Sequence, residues 1–231
     1  MTRLNEFGQP VGDAVSWSGA TRPVATVMQG THVRLEPLTV AHAPEVLDAL
    51  GSPADLWTYQ SEEQPADVAD VAAAIAAVRD TPDRLPFAVI DQADGALVGR
   101  VSYLRVQPSP GSIEVGGIIF SPRLQRTRGA TEAQYLLMRH AFDDLGYRRY
   151  EWKCDALNAP SVRAALRLGF TQEGTWRNAV VMKGRNRDTT WFSITDKEWP
   201  AVRAALEAWL DDANFTADGV QRRSLAELRA A

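Results

Sequence analysis

The chain has 231 residues, 45% hydrophobic and 23% charged, which is ample for a buried core and unlike a disordered segment. No apolar run approaches the ~18 residues of a membrane span. The opening MTRLNEFGQPVGDAV lacks the basic-then-apolar pattern of a secretory leader, and the single cysteine, Cys154, excludes an internal disulfide. A reducing, cytoplasmic setting is therefore expected. The net charge of −4 is uneven: residues 121–190 carry 13 Lys+Arg against 7 Asp+Glu, and the rest 12 against 22. A basic segment in an acidic protein points to a local anionic ligand more than to a nucleic-acid surface.

Residues 1–30, rich in Gly, Pro, Ser, Thr and Val without a period, read as a loosely structured arm. THVRLEPL alternates and predicts a strand. TVAHAPEVLDAL predicts a helix stopped by Gly51-Ser52-Pro53, and residues 65–80 a second helix that opens on proline. LPFAVID and ALVGRVSYLRV predict a hairpin turning at Ala93-Asp94-Gly95. SIEVGGIIF (112–120) is a third strand, in which Gly116-Gly117 predicts a bulge or a close backbone approach. Thr131 and Gln134 have capping-box spacing and predict a helix start near Thr131. YRRYEWKC is a strand, residues 158–170 a short helix ending at Gly169, and NAVVMKG and DTTWFSIT a late hairpin around the turn GRNR. KEWPAVRAALEAWLDDA is the last long helix. The order β-α-α-β-β-β-α-β-α-β-β, with one βαβ crossover, predicts a single α+β domain.

Strand, cationic loop and helix N-terminus follow one another at 112–131. Free N–H groups and the dipole at such a terminus favour an anion, phosphate above all, with Arg123, Arg126 and Arg128 adding charge. Neither a Walker loop nor a dinucleotide fingerprint is present.

Downstream, CDALNAPSVRAALRLGF places Asn158 at a strand end, Ser161 early in a helix, and Leu168-Gly169-Phe170 after it. This resembles the acetyl-CoA-binding core of the GNAT N-acetyltransferase superfamily, and most closely its RimJ/RimL-like branch. The branch pattern Q-x-x-G-x-A-T-E-A aligns with Gln125, Arg126, Thr127, Arg128, Gly129, Ala130, Thr131, Glu132 and Ala133, and E-x-G with Glu114, Val115 and Gly116. VRLEPLT resembles the family's opening strand. The branch's loop glycine falls on Arg128, or on Gly129 in a register shifted by one. Arg128 then either donates to a pyrophosphate or crowds it.

The resemblance implies a mixed, mostly antiparallel sheet with a splayed parallel strand pair and flanking helices. It divides the chain into an arm (1–30), the acetyltransferase domain (31–199) and a helical extension (200–231). It implies acetyl-CoA as cosubstrate, with Gly117, Ile118, Gln125, Arg126, Thr127, Arg128, Gly129, Ala130, Thr131, Asn158 and Ser161 as its binding residues. Direct attack of a primary amine on the thioester needs a base and a donor to the leaving thiolate. Glu114 is the candidate base, with Tyr103 or an ordered water as substitute. Ser161 is the candidate donor, and Asn158 is expected to bond the cofactor arm more than to cap its helix. The acceptor is a protein N-terminus or a small-molecule amine. The alternative is a CoA-binding module without turnover.

Other residues read more simply. Cys154 is a small buried hydrophobe and His140 a core histidine. His32 and His42 with Glu36 or Asp48 lack metal-ligand spacing, and no metal is expected. Trp57 and Tyr59 suit a substrate wall or the core, and Arg148, Arg149 and Lys153 a half-exposed strand rather than an RNA surface. Neither a membrane nor a nucleic-acid partner is expected, and the protein is a monomer or a homodimer.

Overall fold

A computed structural model describes residues 3–230, and hydrophobic alternation is clearest in the strand at 33–37. Two short pairings lie in the arm. β1 (Arg3–Leu4) pairs with β2 (Pro10–Val11), and β3 (Met28–Gln29) begins the main sheet. Next come β4 (Val33–Pro37), α1 (Ala43–Leu50), α2 (Val68–Arg79), β5 (Leu85–Asp91), β6 (Leu97–Gln107) and β7 (Ser112–Phe120). They are followed by α3 (Arg128–Arg139), β8 (Arg149–Asp155), α4 (Ala159–Leu168), β9 (Thr171–Met182), β10 (Arg185–Thr195), α5 (Trp199–Leu210) and α6 (Leu225–Arg229). The eight-stranded sheet has the order β3-β4-β5-β6-β7-β8-β10-β9, and every pairing is antiparallel except β7 with β8.

Both faces of the sheet are covered, and β5 shows it in one strand. Phe87 and Val89 join the larger core with α3 and α5, while Ala88 and Ile90 join a second core under α1 and α2. A strand buried on both faces is continuously apolar rather than alternating, as LPFAVID is.

Three predicted boundaries move. The second helix starts at Val68, capped by Asp67, whose carboxylate accepts from the Asp70 N–H at 2.9 Å, so Pro65 lies outside it. α3 starts at Arg128, because Thr127 rather than Thr131 caps it: Thr127 Oγ1 accepts from the Ala130 N–H at 3.2 Å. Thr131 and Gln134 are buried inside the helix and form no capping box. Gly129, unfavourable by helix propensity, is there for packing, since a Cβ would stand 2.9 Å from Val33 Cγ1. The late hairpin turns at Lys183-Gly184, with φ of +50° and +70°. Left-handed backbone at both central positions marks a two-residue type I′ turn, so Arg185, Asn186 and Arg187 belong to β10.

Glu132 anchors α3. Its carboxylate accepts from the backbone N–H groups of Thr31 (2.8 Å), His32 (2.6 Å) and Val33 (2.8 Å), tying the helix to the entry of β4. Gly30 makes room for it, because a Cβ there would lie 2.6 Å from the carboxyl.

Candidate active site

The predicted bulge is present and opens the sheet. Ser102 pairs with Gly116 and Arg100 with Ile119, so Gly117 and Ile118 together stand against Val101 alone. Gly117 has φ +58°, which a side chain disfavours. The parallel register between β7 and β8 runs from Ser112↔Arg149 to Val115↔Trp152 and stops there. Beyond it Gly116–Phe120 and Lys153–Asp155 diverge, leaving strand backbone without a ladder partner between them. This splay forms the floor of a cleft of about 1810 Å³, lined by Glu114, Ser161 and every expected cofactor-binding residue except Gly129; Tyr103, Arg123 and Trp57 do not line it.

One end of the cleft is the N-terminus of α3. Helix geometry leaves the N–H groups of Arg128 and Gly129 without an i−4 carbonyl, an arrangement that favours an anion. The loop before them is held tightly. Gln125 Nε2 donates to the Phe120 carbonyl (2.8 Å), Thr127 Oγ1 donates to that of Leu124 (2.7 Å), and Arg126 is left-handed at φ +63°. Of the three expected cations, two are engaged elsewhere. Arg123 pairs with Asp91 (2.6 Å) and Asp94 (2.8 Å) at the β5–β6 turn. Arg128 turns to the C-terminal segment, donating to the Leu210 carbonyl (2.6 Å) and Asp212 (2.7 Å), with its guanidinium 4.1 Å from the Phe215 ring centroid.

Glu114 lies on the β7 lip, with its side chain 8% exposed. Burial pushes its carboxyl above the ordinary 4.5, although the Lys153 ammonium and Arg105 pull the other way. Lys153 Nζ sits 2.6 Å from Glu114 Oε2 and 3.0 Å from Glu151 Oε2. Arg149 bonds Glu151 at 2.7 Å and Glu173 at 2.5 Å. Arg148, Arg149 and Lys153 are half-buried, as expected of a half-exposed strand, and Lys153 and Arg149 form a ladder of opposite charges across β7, β8 and β9. Despite burial, the Arg149 and Lys153 bonds hold Glu151 below its ordinary range.

Ser161 and Asn158 stand at the start of α4. Asn158 Oδ1 accepts from the Ser161 N–H at 3.1 Å, so Asn158 caps the helix through this oxygen. Ser161 Oγ receives the Trp152 indole N–H at 3.0 Å. An indole is only a donor, so this bond occupies a lone pair of Ser161 and leaves its O–H to donate, with the Cys154 sulfur within its reach. Cys154 is buried, which raises its thiol pKa, although a bond from Ser161 pulls it down.

Tyr103 is not at the site as a base. It is fully buried, its hydroxyl donates to the Leu137 carbonyl (2.7 Å), and burial pushes its pKa far up. Trp57 belongs to the core. The segment after it, of which the sequence pointed only to Tyr59, straps the splay from lip to lip: Gln60 Nε2 donates to the Ile118 carbonyl (3.1 Å) and the Tyr59 hydroxyl to that of Leu157 (3.1 Å). Glu62 in this strap pairs with buried Arg100 at 2.6 Å. Spacing gives no signal for such bonds, which join residues far apart in sequence. Among the described residues no group of His, Cys, Asp and Glu is arranged to hold a metal ion, and no helix is long and apolar enough to cross a membrane.

A bulged strand splayed from a parallel neighbour, with a helix N-terminus at the end of the gap, defines an acetyltransferase-type α+β fold. The sequence profile of the Acetyltransferase (GNAT) domain matches residues 32–171, and the chain belongs to that family. It is similar to a GCN5-related N-acetyltransferase from Brucella melitensis, at 43% identity and a TM-score of 0.90 over 94% of this chain and 99% of that one. A probable acetyltransferase of the GNAT family from Chromobacterium violaceum is 35% identical, with a TM-score of 0.78 over 83% and 99%. The uncharacterized N-acetyltransferase YnaD of Bacillus subtilis is 24% identical over 113 residues, 49% of this chain and 65% of that protein. The match thus spans less than two thirds of that curated relative's length.

Proposed function

We propose that this protein transfers the acetyl group of acetyl-CoA to a primary amine by direct attack. The observation that carries this reading is the β7–β8 splay, with Glu114 and Ser161 in one cleft that ends on the α3 N-terminus. Acetyl-CoA supplies the activated thioester; the chain supplies positions and protons. The N–H groups of Arg128 and Gly129, with the Arg126 guanidinium, hold the pyrophosphate, while the unladdered edges of β7 and β8 and the Asn158 amide suit the amide groups of the pantetheine arm. Glu114 takes the proton of the acceptor ammonium, whose pKa near ~10 would otherwise leave it unreactive at neutral pH. Ser161 gives its hydroxyl hydrogen bond to the sulfur as negative charge develops there.

Two measurements test this. Saturating acetyl-CoA raises the unfolding temperature, because it binds only the native state. Thiol release is then followed across short peptides with free N-termini and small diamines, which also separates the two acceptor classes. Glu114→Gln lowers the rate by about 10²–10⁴ at neutral pH. Because Glu114 works only when deprotonated and burial holds it above 4.5, the wild-type acid limb lies above that value. No thermal shift at millimolar acetyl-CoA removes the reading, and binding without thiol release reduces the protein to a CoA-binding module.

A further inference from the structure

We propose that Lys153 is a positioning residue for the transfer, clamping one oxygen of Glu114 so that the other faces the cleft as the proton acceptor. This rests on Glu114 being the base.

The clamp follows from register. Glu114 and Glu151 are direct neighbours on the parallel strands β7 and β8, which puts two carboxylates side by side. Like charges so placed repel, and at close range one of them takes up a proton. Lys153, two residues along β8 on the same face, brings its ammonium between them, at 2.6 Å from Glu114 Oε2 and 3.0 Å from Glu151 Oε2.

It is not a mobile surface lysine. Its side chain is 9% exposed, and Trp191, its register partner on β10, covers the ammonium with a ring whose centroid is 3.7 Å away. The other charges around Glu114 are Arg105 of β6, 3.7 Å from the same Oε2, and Glu151 of β8, itself held by Arg149. Both cations therefore act on Oε2. Oε1 lies beside Gly116, where a Cβ would come within 3.6 Å of it.

The remaining work is a single proton transfer. The N–H bond of the acceptor ammonium breaks as its proton passes to Glu114 Oε1, and the nitrogen lone pair is freed for attack. Lys153 favours the Glu114 carboxylate in a place where burial and Glu151 favour the neutral acid.

The test is a carboxyl ¹³C NMR titration of the full chain, with the Glu114 signal assigned by its loss in Glu114→Gln. In Lys153→Met the Glu114 midpoint rises by about one to three pH units, the usual effect of losing an adjacent opposite charge. Lys153→Arg returns it towards wild type, and Lys153→Gln serves if the methionine variant does not fold. With acetyl-CoA and the best amine of the panel, Lys153→Met loses kcat at neutral pH, regains it at higher pH, and binds acetyl-CoA as wild type does. An unmoved Glu114 midpoint in a folded Lys153 variant, with Glu114→Gln still slow, overturns the role of Lys153 alone. Wild-type rates in Glu114→Gln overturn the base, and with it the part of Lys153 in the transfer.

Discussion

Ser161 shows how a neighbour decides what a small side chain can do. A serine hydroxyl is both donor and acceptor, and a lone serine near a helix start most often caps it. Here Asn158 caps α4, so Ser161 is released from that task, and the Trp152 indole fills one of its lone pairs. What remains is a hydrogen directed by exclusion toward other acceptors. Ser161→Ala therefore lowers kcat while leaving acetyl-CoA affinity nearly intact, because the bond strengthens only as the thiolate forms. The loss falls at or below the low end of general-acid effects, about 10²-fold, since a thiol of pKa ~8.5 leaves readily without help. Steady-state kinetics beside calorimetry checks this; equal losses in kcat and in affinity make Ser161 a binding residue only.

Between elements, the feature that sequence alignment mistakes is Arg128. By the branch pattern it stands at the loop glycine, which suggests a phosphate contact or a steric clash. Instead its side chain leaves the loop and latches the segment after α5, through the Leu210 carbonyl, Asp212 and the Phe215 ring. Neighbouring contacts repeat the pattern. Arg167 bonds Thr131 and stacks over Trp209, and Arg229 bonds the carbonyls of Arg167 and Leu166 at the end of α4. The C-terminal segment is thus stitched to both helices that frame the cleft. Asp212 is 87% exposed, so its ion pair adds little, and the bond to the Leu210 carbonyl carries most of the latch. Arg128→Ala costs about 1–2 kcal/mol on that reasoning. Amide exchange in residues 211–221 speeds up with it, read by mass spectrometry. Weakened CoA binding with unchanged exchange there would return Arg128 to the phosphate.

Across the whole molecule, what was legible in the sequence was whatever repeats at short range. The strand at 112–120, the glycine bulge, the βα order and the helix ended by Gly169 all follow from periods and single-residue preferences. The Glu132 nest, the Lys153 ladder and the Gln60 strap were not legible, because each joins residues far apart in the chain and two of them use backbone partners that carry no residue identity. The same distinction bears on the last 33 residues, Trp199 together with the extension 200–231 that the family resemblance sets apart. Their apolar face lies in the main core: Trp199, Val202, Leu206, Trp209 and Leu225 are buried with Tyr150 and Phe142, and Trp199 stacks on Phe142 at 5.0 Å. Each such side chain contributes about 1.5–3 kcal/mol on burial. Together they rival the whole stability of a domain, about 5–15 kcal/mol. A chain ending at Glu198, although it retains the matched residues 32–171, should therefore show no cooperative urea transition by circular dichroism. A single sharp transition in that shortened chain would show that β3–β10 fold without α5, and that the extension is an addition rather than part of the core.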